Sequence, residues 1–187
     1  MFHLSLVDHI RLSFASIVGA YEGHSAAAAR LARWAWYMKV AMLSMIGIAA
    51  IAGVIADQRG GGFQTAAAAL TAVAFVVAAA YVALDPEPRV YGHRAAAARL
   101  WLLCEKYRAL LTEVHDELID VAEITKRRDA LLQEAGSVFE HAPPADQQTY
   151  DIARKAFSGG RRGGYSDEEL DTFLPVALRR PTSATSS

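Results

Sequence analysis

The side chains able to do chemistry are few enough here to weigh one at a time. Glu113, His115, Asp116 and Glu117 crowd one turn and carry donor types that suit a metal ion. Adjacent residues on a helix point in different directions, so His115 and Asp116 share an ion only with distant help, and the cluster reads as a solvated face. Gly159-Gly160-Arg161-Arg162-Gly163-Gly164 offers backbone N–H groups and guanidinium charge, the means of cradling a phosphate. It follows no Walker pattern and no strand precedes it, so a surface loop is the plainer reading. His24 and His93 carry the imidazole, whose charge ordinarily changes at about pH 5–8, which suits either a proton-sensitive element of a gate or a simple bond between helices. The lone cysteine, Cys104, rules out an internal disulfide, fits a reducing compartment and reads as core packing. Nothing resembles a nucleophile with its base, and neither an enzyme nor a cofactor is expected.

The elements that position these residues are set by two uncharged apolar runs, 40–56 and 65–84, separated by a polar turn that contains Asp57-Gln58-Arg59-Gly60-Gly61-Gly62. As helix at about 1.5 Å per residue, each run spans roughly 25–30 Å, near the hydrocarbon thickness of a bilayer. Val40, Leu43, Ile46, Ile48, Ile51, Val54 and Ile55 occupy every face of the first run, and the second is equally uniform, so no stripe is left for water. Strongly apolar residues at about −0.3 to −0.6 kcal/mol each give an insertion energy of roughly −2 to −4 kcal/mol per run. The fold class expected is all-α: a two-transmembrane helical hairpin with long cytoplasmic amphipathic helices before and after it. A pair of Ala-rich helices buried in a soluble bundle is the alternative, and it predicts recovery without detergent.

The flanks place the hairpin. Trp34, Trp36 and Tyr37 precede the first run, where amphipathic rings favour the headgroup layer, and Lys39 can snorkel to the same level. Basic residues gather before the first run (Arg11, Arg30, Arg33, Lys39) and after the second (Arg89, Arg94, Arg99, Lys106, Arg108), whereas the turn offers only Arg59. The positive-inside bias then puts both termini in the cytoplasm and the turn outside. Asp8 and Arg11 interrupt the first residues before any apolar core develops, which argues against a cleaved signal. With 19 basic and 20 acidic side chains in 187 residues, one compact unit is expected, with no charge excess to attract nucleic acid.

Outside the membrane, Val7, Ile10, Phe14, Ile17, Tyr21 and Leu31 form an apolar stripe on a helix over 1–39 that enters the bilayer. Asp85-Pro86-Glu87-Pro88 predicts a short extended corner. A long helix over 90–135 follows, its stripe including Leu103, Tyr107, Leu110, Val114, Val121 and Ile124, a coiled-coil-like surface that needs a partner; self-association is expected through it. Gly23-His24-Ser25-Ala26-Ala27-Ala28-Ala29-Arg30-Leu31 reappears as Gly92-His93-Arg94-Ala95-Ala96-Ala97-Ala98-Arg99-Leu100, identical at eight of nine positions, one copy before the hairpin and one after. Arg30 and Arg99 could there meet lipid phosphates. Short helices are expected within 145–175 and a disordered tail over 176–187. The runs also carry small residues four apart, Ala49 and Gly53 or Ala74 and Ala78 among them, together with Gly47. Ser44, Thr65, Thr71 and Tyr81 are their polar groups, free to line a pore or to bond their own helices.

Tyr21 with Arg30-Leu31 entering Trp34-Ala35-Trp36, then the hairpin, then Tyr91 with Arg99-Leu100-Trp101 and Glu105-Lys106-Tyr107-Arg108-Ala109-Leu110-Leu111, resemble the SLATT domain family over roughly residues 10–175. The resemblance implies a single domain over 1–175, an effector of bacterial conflict systems that perturbs or perforates the membrane on a signal and arrests or kills the cell during phage infection, and a partner that makes or senses nucleotides. It transfers no binding residue. A passive two-span scaffold that recruits a cytosolic protein through its long helix is the alternative, and it predicts harmless expression.

Overall fold

A computed structural model describes residues 5–59, 62–144, 171, 174 and 176–179. Among the described residues there is no strand, and the elements run α1 (Leu6–Arg59), α2 (Gly62–Leu84), α3 (Pro86–His115), α4 (Val121–His141) and a 3-10 turn at Val176–Leu178. The all-α class with two long apolar helices is therefore as expected. The helices expected within 145–170, the Gly159–Gly164 loop and residues 180–187 lie outside the described residues. Contacts group the chain into two compact units, Met1–Ala27 with Gly92–Ser187, and Ala28–Tyr91.

In the first unit, Ser5 opens α1 by accepting the Asp8 N–H at 3.1 Å, and the acidic Asp8 suits the positive end of the helix. Ile10, Phe14, Ile17 and Val18 of α1 are buried against Leu100, Leu103, Tyr107 and Leu110 of α3 and Ile124, Leu131, Ala135 and Val138 of α4. Ion pairs set the α3–α4 register: Lys106 reaches Glu134 at 2.7 Å and Arg127 reaches Glu113, so α4 returns antiparallel along α3. Arg127 also holds Glu123 one turn away at 2.9 Å.

That return replaces the single helix expected over 90–135. The Leu118 N–H donates to the Glu113 carbonyl (3.0 Å) and the Glu117 N–H to the Val114 carbonyl (3.3 Å), which is a Schellman stop with Glu117 in the left-handed conformation (φ 54°). Asp120 then caps α4 by accepting the Glu123 N–H at 2.8 Å. A left-handed Cβ costs about 1–2 kcal/mol, and a carboxylate sits badly at a helix C-terminus. Glu117→Gly should therefore raise stability by about 0.5–1 kcal/mol, read as a higher urea midpoint of the full chain, whereas Glu117→Ala, which keeps the Cβ, should gain clearly less.

In the second unit, the expected turn over 57–64 narrows, because α1 continues to Arg59 and α2 begins at Gly62. The buried residues of the two spans are alanines: Ala49 and Ala56 on α1, and Ala67 and Ala74 on α2, each pair seven residues apart. Ala28 and Ala35 continue the α1 series at the same spacing. Side chains of one methyl at heptad spacing let two helices approach closely along one seam. The other faces are bare, with Leu43, Ile51, Val54, Phe75, Val76 and Val82 all between 63% and 74% exposed. The corner at 85–88 is not extended. Asp85 alone turns, in the left-handed region (φ 33°), and α3 starts at once with Pro86. Prolines suit that first turn, where their missing N–H groups would have no helical partner.

Candidate functional site

Of each long apolar window, only 11% is buried within the protein. A core helix of a soluble protein would be mostly covered, so this low burial favours membrane association over the soluble alternative. Ala74 lies in the α1–α2 seam and Ala78 is half-buried, but Gly47 and Gly53, also expected to pack, have open space where a Cβ would stand. They face outward because the heptad-spaced alanines already define the inward stripe. Thr71 donates its hydroxyl to the Ala67 carbonyl at 2.9 Å and Thr65 to the Gly62 carbonyl at 2.8 Å, so both bond their own helix. Ser44 is exposed on the outer surface.

The open end of the hairpin is tied by charge. Lys39 of α1 pairs with Glu87 of α3, and the Tyr81 hydroxyl of α2 donates to Glu87 Oε1 at 3.2 Å. The Lys39 bond, then that of Tyr81, holds the Glu87 carboxyl below its usual range; bonds to Glu87 and then Tyr81 push the Lys39 ammonium up. Glu87's contribution is present above its ordinary value near 4.5 and lost as pH falls; that of Lys39 is present below about 10.5 and lost as pH rises. The tie therefore holds across the neutral range. Trp34, Trp36 and Tyr37 are exposed, as interfacial rings would be, Arg99 is exposed and Arg30 half-buried.

The extramembrane unit corrects the expected oligomer stripe. Leu103, Tyr107, Leu110 and Ile124 are buried in the chain's own core and Val114 is half-buried. The Schellman stop folds α4 back over the face that a continuous helix would have offered to a partner. Val121, the first residue of α4, is displaced from that face and 70% exposed. Cys104 is also core, its thiol pushed up to about 11, chiefly by burial.

Two features were not anticipated. Arg11, read only as an orienting charge, is 5% exposed; it reaches Asp171 Oδ1 at 2.5 Å and the Leu178 carbonyl at 3.1 Å. With Arg179 Nε on the Leu174 carbonyl (2.9 Å) and Leu174 buried, residues 176–179 are tied to the core, where a disordered tail was expected. The available signal was a charge beside Ile10 and Phe14 on an apolar stripe. Second, the repeated Gly-His segments meet: His24 and His93, both buried, bring Nδ1 to Nδ1 at 2.9 Å, their rings 5.1 Å apart. Burial first, and His93 second, press the His24 imidazole below its ordinary value. A Cβ on Gly92 would lie 2.7 Å from the Pro143 ring, which accounts for glycine beside the second histidine.

A helical hairpin with an alanine seam and bare apolar outer faces, and a three-helix core as a second unit, together define a two-span membrane-associated protein. Residues 6–169 match the SMODS and SLOG-associating 2TM effector domain family 4, and the chain belongs to that family. It is thus a two-transmembrane effector domain of the conflict-system type. No curated protein and no solved structure matches it.

Proposed function

We propose that this chain is a membrane-disrupting effector of a bacterial anti-phage system, resident in the inner membrane with both termini cytoplasmic, and that a nucleotide-linked partner signal makes its hairpins assemble into a pore that arrests or kills the cell. Family membership gives the effector role its basis. The observation that carries the membrane step is the alanine seam. Each span meets its neighbour through single methyl groups while its bulky side chains face outward, so the hairpin can exchange intramolecular for intermolecular contacts at small cost. Since Leu103, Tyr107 and Leu110 are occupied internally, self-association passes to the outer hairpin face, where Gly47 and Gly53 permit close approach. The basic flanks, against a turn with only Arg59, support the orientation.

Dye-loaded liposomes of anionic lipid test the reading. Release is expected to rise steeply with protein density and further with a nucleotide-synthesising or nucleotide-sensing partner. No release at any density, from protein that resists carbonate extraction, would leave a passive scaffold as the better account.

A further inference from the structure

We propose that His24 and His93 form a proton-binding junction that stays closed with at most one added proton and parts α1 from α3 at that level when a second is bound. The argument is stereochemical. Two Nδ1 atoms 2.9 Å apart can bond only if one carries hydrogen and the other keeps its lone pair. A neutral pair meets that condition with opposite tautomers. A singly protonated pair meets it as well, with the imidazolium as donor and a stronger, charge-assisted bond. With two added protons both Nδ1 atoms bear hydrogen, no lone pair remains, and two like charges confront each other.

The surroundings sharpen the effect. His24 is 5% and His93 7% exposed, and small apolar neighbours, Ala27 on α1 and Ala96 and Ala97 on α3, are buried beside them, so little water screens the second charge. Near this level of the packed elements the charged or titratable side chains include Glu22 on α1, Arg94 on α3, and Glu140 and His141 at the end of α4; these four are exposed, and His141 Nδ1 faces the Ser137 carbonyl at 2.8 Å. Pro143, which meets Gly92, does not titrate. An opened junction takes up protons near the ordinary histidine value of about 6.5 while the closed one refuses the second, so closure is favoured at neutral pH and lost as pH falls below that value. This goes beyond perforation and is read at the junction itself, so its failure and that of the pore reading are distinguishable.

Imidazole nitrogen NMR of the full chain in lipid nanodiscs is the direct test. Expected are two titration steps separated by more than about one pH unit, the lower one below about 6. Amide exchange at Ser25 to Ala27 and Ala95 to Ala98, corrected for intrinsic rates, should rise about tenfold between pH 7 and pH 5, and the His24→Gln, His93→Gln double variant should show no such rise. Coincident titrations near the ordinary value would overturn the proposal, as would an equal exchange rise in the double variant. Should that variant not fold, the titration of the unaltered protein decides alone.

Discussion

Arg11→Ala should lower the stability of the extramembrane core by about 3–5 kcal/mol, the scale for breaking a buried ion pair from one side. The guanidinium is held by Asp171, whose side chain is 19% exposed, and by the Leu178 carbonyl. Its removal leaves a largely desolvated carboxylate and a carbonyl with their shared donor gone. Partial exposure of Asp171 favours the lower end of that range. Pulse proteolysis of the full chain in urea gives the measurement. Arg11→Met combined with Asp171→Leu should recover most of the loss, because well-packed apolar groups carry no desolvation cost. An unmoved midpoint in Arg11→Ala would show that this anchor has no weight.

Ala49→Leu and Ala74→Leu should each weaken the α1–α2 contact by about 1–3 kcal/mol, since a seam of methyl groups has no room for a branched side chain. Gly53→Leu should do little within one hairpin, because open space lies where its side chain would grow. Cysteines placed one on each span report the difference through cross-linking rate in membranes. An equal slowing by all three substitutions would mean that the seam is not where the burial pattern puts it. In the liposome assay the same variants separate inner from outer contacts: Gly53→Leu should suppress release if assembly uses the outer face.

Much of this architecture could be read from residue order. Two uncharged runs apolar on every face leave helix in lipid as the economical reading, and Ile10, Phe14 and Ile17 on one side with Leu100, Leu103 and Tyr107 on the other repeat at helical spacing, so their burial was legible. The α3–α4 break was not, because Asp116-Glu117-Leu118-Ile119-Asp120 contains neither glycine nor proline, and Leu118, Val121 and Ile124 prolong the three-residue rhythm across it. The overlooked mark was Asp120 three residues before Glu123, a helix-start signature inside what looked like continuous helix. Gly47 and Gly53 misled for a different reason. Small residues signal close approach only when they face a neighbour, and in an Ala-rich span many registers satisfy the spacing, so composition cannot choose the inward one. The histidine pair was visible as an echo, but a repeat gives no distance; only packing brings the two rings together.

Cys104 has a practical consequence. Thiol-directed labels react with the anionic sulfur, and the one native sulfhydryl is 1% exposed with its ionisation displaced to about 11. It should stay silent toward maleimides at neutral pH, so fluorophores or spin probes can be attached at introduced cysteines without first deleting it, and the parent sequence serves as its own unlabelled background.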